Sequence, residues 1–247
     1  MFLKKFLLLI FTFLSVTTMA QTNKDYLIEW RKVDALESKG LTKDALSDVV
    51  KIFTDAVKTN NGAQQIKAAM YQMKYRNMVE EDNQQKNLFF VDTLIAQTKA
   101  PAKNILLSMQ AQLFQTYKQN NRYQLYSRTA LTEEKGNDIT TWSISKLNAT
   151  IASLYKASLK NEAVLKATNL NGLDAIIEKG KNTRQLRSTL YDFLAHRALD
   201  YFMSTENDVS SPFYKFIINE PAAFAPVKEF TAYNFKTKDT ASLYFNA

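Results

Sequence analysis

Three ionisable side chains lie four residues apart near the end of the clearest helical pattern in the sequence. They are Asp192, His196 and Asp200, and His196 is the only histidine in the chain. Residues at this spacing share one face of an α-helix. A carboxylate beside an imidazole can orient a general base, and two carboxylates with one imidazole can ligate Zn²⁺. Because one helix face rarely directs three ligands to one point, we interpret the trio as a polar face.

Two acidic clusters are the other candidates for acid and base chemistry. They comprise Glu80 with its neighbours Glu81 and Asp82, and the pair Glu133 and Glu134. Sugar cleavage needs two carboxyl groups facing each other at about 5 to 9.5 Å, which adjacent residues do not provide. Acids at these positions are typical of helix starts, where they complement the helix dipole. With no phosphate-binding glycine loop, Gly-x-Ser-x-Gly or His-Glu-x-x-His motif present, the sequence predicts no catalytic residue, cofactor site or metal site.

Four tyrosines are candidates for a partner-binding face. They are Tyr71, Tyr75, Tyr123 and Tyr126, which could line one face of the predicted stack of hairpins. The concave surface of stacked hairpins is a common site for binding peptides and proteins. The two tryptophans, Trp30 and Trp142, begin amphipathic stretches, and we interpret both as packing anchors.

The elements that must position these residues are helices. Five glycines and four prolines in 247 residues leave few places for tight turns, and the apolar residues recur with helical periodicity. Gly40 is predicted to end a first helix in the left-handed conformation, and Thr42 to open a second. In that second helix the apolar stripe is Ala45, Val49, Ile52, Phe53 and Ala56.

Further helices are predicted over residues 64–78, 82–96 and 101–119, with Pro101 at a first helical position. Two more run from Ile144 through Leu154, and from Leu186 to Met203. The αα-hairpins are similar to tetratricopeptide units but lack a strict 34-residue period. The sequence therefore predicts an all-α fold over residues 21–203, an irregular, solenoid-like stack of antiparallel helical hairpins.

The segment over residues 204–247 differs in composition from the helical region. It holds three of the four prolines and a dense set of aromatic residues, so it cannot be one helix. Asp239 and Thr240 resemble a helix cap, and residues 241–247 the first turns of a further helix. We expect this aromatic tail to be the truncated start of a further region.

The first twenty residues are typical of a secretory signal peptide. Lys4 and Lys5 give a positive start, residues 6–16 are apolar, and Ala20 is a small residue before a cleavage position. A retained membrane anchor is the alternative, but a bilayer span needs roughly 20 apolar residues, about twice this run. We expect export to the periplasm, envelope or exterior, with no integral membrane segment after cleavage. The net charge of +8 is scattered among acids rather than arranged as a basic stripe, which disfavours nucleic acid as a partner.

Several stretches of the chain carry a family resemblance when they are taken in order: Trp30 and residues 36–41, 65–68, 101–122, 138–142 and 190–200. They cover most of residues 24–203, and the specificity comes from their order rather than from any one of them. In this order they resemble the N-terminal helical region of the large alpha-2-macroglobulin-family proteins of Bacteroidetes envelopes.

The resemblance implies a large protease-trapping parent protein with later β-sandwich domains and a thioester or thioester-derived domain. This chain has no cysteine and so cannot carry a Cys-Glu-Gln thioester. The role that the family leaves to this region is a non-catalytic helical docking or spacer region whose partner is a protein or a neighbouring domain of the same parent. The alternative is a free-standing periplasmic helical-repeat module that binds a peptide or protein.

Overall fold

The structure is a computed structural model that describes residues 26–80, 83–127, 136–174, 176–178, 180–181, 183–204, 216–236 and 238, without the side chains of 83, 84, 126 and 127. The predicted signal peptide and the predicted helix at 239–247 lie outside the described residues, as do Glu81, Asp82, Glu133 and Glu134. Within the described part the regular secondary structure is helical, with no strand, which confirms the all-α prediction.

Two compact units divide the chain, Met1–Asn83 and Gln84–Ala247. We did not predict this boundary, which falls inside the helical region expected over residues 21–203. None of the helices in the described residues is both long and apolar enough to cross a membrane.

Three helices form the described part of the first unit: α1 Leu27–Ser38, α2 Thr42–Lys58 and α3 Gly62–Val79. Helix α2 packs against both of the others. All five residues of its predicted apolar stripe are buried. Burial of each larger aliphatic or aromatic side chain stabilises the fold by about 1.5–3 kcal/mol, so this stripe holds the unit together.

Two left-handed residues reverse the chain in the first unit. After α1, Gly40 has φ +72°, and the N–H groups of Gly40 and Leu41 donate to the carbonyls of Glu37 and Leu36 at 2.9 Å each. After α2, Asn60 has φ +52° and begins the same pattern. These bonds satisfy carbonyls that a helix end leaves free, and glycine or asparagine is favoured at the left-handed position. The predicted cap at Gly40 is therefore confirmed.

The second unit contains eight α-helices in its described part. They are α4 Asn83–Gln97, α5 Ala102–Asn120, α6 Arg122–Ser127, α7 Ile144–Ser158, α8 Glu162–Ala167, α9 Thr183–Leu186, α10 Leu190–Met203 and α11 Val227–Ala232, and three short 3-10 turns lie at Ile139–Thr141, Leu170–Leu173 and Pro221–Phe224. Helix α5 packs along α7, and α10 packs on α5, α7 and α8.

Aromatic rings fill the core of the second unit. Trp142 and Phe114 are stacked with ring centroids 5.7 Å apart, and Phe89 meets both rings edge-on. The Trp142 indole N–H donates to the Gly136 carbonyl at 2.9 Å, so its polar atom is satisfied within the core. Trp142 is 6% exposed and Trp30 5%, which confirms both as packing anchors.

The helix predicted to run from Leu186 to Met203 is in fact two helices. Leu186 ends the short α9 and is 80% exposed, and α10 begins only at Leu190. Thr189 accepts a hydrogen bond from the Asp192 N–H, and the Asp192 carboxylate accepts one from the Thr189 N–H. This reciprocal capping box starts a new helix, and the Thr-x-x-Asp pattern in the sequence was the missed signal. Pro101 likewise occupies the cap of α5 rather than its first helical position.

The left-handed turn after α1 predicts a difference between two glycines. In Gly40→Ala, a side chain enters a conformation with φ +72°, and we expect a loss of about 1 kcal/mol in the free energy of unfolding. Gly172→Ala is the matched control, since Gly172 lacks a positive φ and has open space around it. Urea unfolding measures both, and equal midpoints for the two variants would show that the turn does not need its glycine.

Candidate partner-binding site

Two of the four predicted partner-binding tyrosines lie together on α3. The rings of Tyr71 and Tyr75 meet edge to face with centroids 5.9 Å apart, and Tyr71 is half-buried whereas Tyr75 is fully buried. Tyr123 belongs to α6 in the second unit and is 90% exposed. The side chain of Tyr126 lies outside the described residues. The structure therefore brings Tyr71 and Tyr75 together within the first unit, and the partner-binding face of four tyrosines stays a prediction.

A cluster of long side chains joins α1 to α3 around Tyr71. The Trp30 ring of α1 packs against Tyr71 with centroids 4.8 Å apart, and the Trp30 indole N–H donates to Gln64 Oε1 at 2.6 Å. The ammonium of Lys67 lies 4.0 Å from the centre of the Trp30 ring, and that of Lys74 lies 5.3 Å from the centre of the Tyr71 ring. We call the surface formed by Trp30, Lys67, Tyr71 and Lys74 the Trp30 face.

Glu37 anchors one end of the Trp30 face. Its carboxylate accepts hydrogen bonds from the Lys74 ammonium and from the Tyr75 hydroxyl, the latter at 2.6 Å. These two donors, first Lys74 and then Tyr75, hold the pKa of Glu37 below its ordinary value. Burial and then the bond to Glu37 raise the pKa of Tyr75 far above its ordinary value. The three groups form a closed network, which fixes the position of Lys74 against α1.

Lys67 differs from Lys74 in its surroundings. Burial lowers the pKa of Lys67, and Asp34 opposes this shift only through its charge at a distance. Among the described residues of the first unit, no carboxylate lies within ion-pair distance of its ammonium. The face of the Trp30 ring is the nearest attractive group, and a cation over an indole gains about 0.5–2 kcal/mol. Lys67 is thus a half-buried cation stabilised by an aromatic ring instead of an acid.

The lysines of this face were not predicted, although their spacing in the sequence indicates that they share a helix face with Tyr71. Gln64, Lys67, Tyr71 and Lys74 follow one another at intervals of three or four residues, so they form one stripe along α3. Their contacts with Trp30 and Glu37 depend on how α1 lies beside α3, and this arrangement was not readable from local spacing.

Asp192, His196 and Asp200 do lie on one helix, α10, as predicted, but Asp192 and His196 have structural partners. The Asp192 carboxylate accepts bonds from the Thr189 hydroxyl at 2.8 Å and N–H at 3.0 Å, which lower the pKa of Asp192. His196 Nδ1 donates to the main-chain carbonyl of Asp192 at 2.8 Å, not to its carboxylate. The Asp192 carboxylate is therefore a helix cap rather than the orienting partner of a base.

In the described ranges, no group of three or more histidine, aspartate, glutamate or cysteine side chains is placed to hold a metal ion. Asp200 is exposed near the C-terminal end of α10, two helical turns from the capping box.

The part of the predicted aromatic tail that is described, residues 216–236, gathers its rings around Phe235. The rings of Phe216, Phe230 and Tyr233 lie with centroids 4.9 to 6.0 Å from that of Phe235. We call residues 216–236 the tail segment. Three other large apolar side chains of the tail segment are mostly exposed to solvent. They are Ile217 (64% exposed), Phe224 (80%) and Val227 (78%). No residue of the tail segment is buried.

No model of a known protein family matches this chain, and neither does any curated protein or solved structure.

The capping box of α10 predicts a pH-dependent loss of stability on mutation. The folded-state pKa of Asp192 is lowered, so its contribution is complete above its unfolded pKa and is lost as the pH falls through the folded pKa. We expect Asp192→Asn to lower the free energy of unfolding by about 0.5–1 kcal/mol at pH 7. This loss should become progressively smaller below about pH 4, where the carboxylate of the unfolded chain is protonated. Thermal unfolding across this pH range measures the difference.

Asp200→Asn is the control for this prediction, because it removes the same charge near the other end of the same helix. We expect it to leave stability at pH 7 unchanged or slightly raised, since an acid near a helix C-terminus is unfavourable. A loss of the same size in both variants would mean that the cap does not stabilise α10.

Proposed function

We propose that this chain is a non-catalytic helical docking region of an exported protein related to the alpha-2-macroglobulin family. The ordered stretches of resemblance support the proposed family, and the pattern of the first twenty residues supports export. The exposed apolar surface of the tail segment supports the docking role. The partner that we propose is a neighbouring domain of the same parent protein.

The exposure of the tail segment is the observation that carries the docking role. Phe224 and Val227 leave about four fifths of their surface in water, and Ile217 leaves about two thirds. Scattered exposed apolar residues are ordinary on protein surfaces, but several within twenty residues are typical of an interaction site. Large aromatic side chains supply much of the binding energy at such sites. A docked domain would bury these groups and gain roughly 25 cal/mol for each Å² removed from water.

The structure also favours a second candidate function, the binding of a peptide by a free-standing helical module. The observation in its favour is the Trp30 face, where Lys67, Lys74 and the half-buried Tyr71 lie along α3 beside the buried Trp30 ring of α1. Open helical surfaces of this kind bind extended or helical segments of other proteins.

The gene that encodes this chain discriminates between the two candidates. If the docking proposal is right, the reading frame continues past Ala247, directly or after one frameshift, into macroglobulin-type β-sandwich domains. A stop codon followed by an unrelated gene would contradict the docking proposal and favour the free-standing module.

The docking role predicts that the tail segment adds little to the stability of the isolated chain. We expect the combined variant Ile217→Ser, Phe224→Ser and Val227→Ser to shift the thermal midpoint by less than about 2 °C, because exposed side chains lose little on truncation. Leu147→Ala is the matched control, since Leu147 is fully buried and its truncation costs about 2–5 kcal/mol. A loss in the tail variant as large as that in the control would mean that these side chains pack within the chain.

A further inference from the structure

The Trp30 face contains a partly buried lysine, Lys67, whose ammonium lies over an aromatic ring. The ammonium of Lys67 is half-withdrawn from water, and among the described residues of its unit no carboxylate approaches it within 4.0 Å. A partly buried charge is costly unless an opposite charge or hydrogen-bonding group meets it. Asp34, the acid that acts on it, does so only through its charge at longer range. The Trp30 ring offsets part of this cost, and a carboxylate arriving from outside would offset more.

The neighbouring lysine, Lys74, has both an aromatic ring and an acid as partners. Lys74 lies two turns further along α3, and its ammonium is bound to Glu37 while it also lies over the Tyr71 and Tyr75 rings. Its acid comes from α1, within the same unit. Lys67 has the aromatic ring but lacks the acid, so the complementary group at this position is an acidic one.

The length and chemistry of the face define the occupant further. Along α3, Tyr71, Lys74 and Met78 follow Lys67 at helical spacing, and Met78 is 61% exposed. The distance from Lys67 to Met78 is about 16 Å at 1.5 Å per residue, which corresponds to about five residues of extended chain. Methionine is an adaptable apolar contact for varied side chains. The face thus offers a cation at one end, a tyrosine ring between, and an apolar contact at the other end.

We propose that the Trp30 face binds an extended acidic peptide segment of about five residues. One carboxylate of the segment pairs with Lys67, and an apolar side chain at its other end lies on Met78. Tyr71 lies between them, and the buried Trp30 ring supports Lys67 and Tyr71 from beneath. This inference rests on the proposed peptide-binding role of the module and does not involve the tail segment.

The experiment uses the full exported chain and dye-labelled pentapeptides, with binding measured by fluorescence anisotropy. The probes are Glu-Glu-Gly-Leu-Leu and the reversed Leu-Leu-Gly-Glu-Glu, with Gln-Gln-Gly-Leu-Leu and Leu-Leu-Gly-Gln-Gln as neutral counterparts. We expect at least one acidic peptide to bind at least tenfold more tightly than its neutral counterpart at low salt. The preference should shrink at physiological ionic strength, because salt screens the ion pair.

Two lysine variants test the assignment to Lys67. Lys67→Met removes the charge but keeps a straight apolar side chain over Trp30, and we expect it to weaken acidic-peptide binding at least tenfold. Lys51→Met is the matched control on α2, where the lysine side chain is 72% exposed, and we expect its affinity to stay within twofold of the wild type. Thermal midpoints of both variants equal to that of the wild type establish that the fold is intact.

Three results would overturn the inference, and they bear differently on the proposed function. Equal affinity for acidic and neutral peptides would mean that the module binds peptides without acidic preference. Unchanged binding in Lys67→Met would place acidic recognition elsewhere on the module. The absence of binding by any of the four peptides would contradict the peptide-binding role itself and leave the docking role of the tail segment standing.

Discussion

Both units depend on buried aromatic side chains whose polar atom donates a hydrogen bond to a partner within the same unit. The pairs are Trp30 with Gln64, Tyr75 with Glu37, Trp142 with Gly136, and Tyr201 with Asn148. Each ring removes a large apolar area from water, while its N–H or O–H avoids the cost of burial without a partner. A chain with no cysteine has no disulfide to hold its helices together, so these contacts and the aliphatic stripes must do so.

The same interaction positions the groups that we propose for binding. Trp30 is held by Gln64, and its ring then supports the Lys67 ammonium. Glu37 binds both Lys74 and Tyr75, so the Lys74 ammonium lies beside the Tyr71 and Tyr75 rings although its side chain is exposed. In the second unit the tail segment gathers its own rings around Phe235 but leaves other apolar side chains open. One unit therefore presents charge on an aromatic platform, and the other presents apolar surface.

Local patterns predicted the elements well, because helical periodicity and turn residues act over only a few positions. The stripe of α2 and the left-handed Gly40 were both predictable in this way. The division at Asn83 was not predicted, because it depends on contacts between residues that are distant in sequence. The break before Leu190 was not predicted either, because the capping box formed by Thr189 and Asp192 was overlooked. The candidate site was only half predictable: Tyr71 and Tyr75 were identified, but Lys67 acquires its role only where α1 brings Trp30 beneath it. Asp192, His196 and Asp200 share a face of α10 as predicted, yet Asp192 caps the N-terminus of this helix.

We propose that the tail segment is covered by a neighbouring domain in the native protein. Hydroxyl-radical labelling of Phe224, Phe230 and Tyr233, compared between the purified chain and the native cell envelope, tests this proposal. If the tail segment is covered, these residues are strongly labelled in the purified chain and several-fold more weakly in the envelope, with exposed Tyr123 as an internal reference. Equal labelling in both samples, relative to Tyr123, would contradict the proposal.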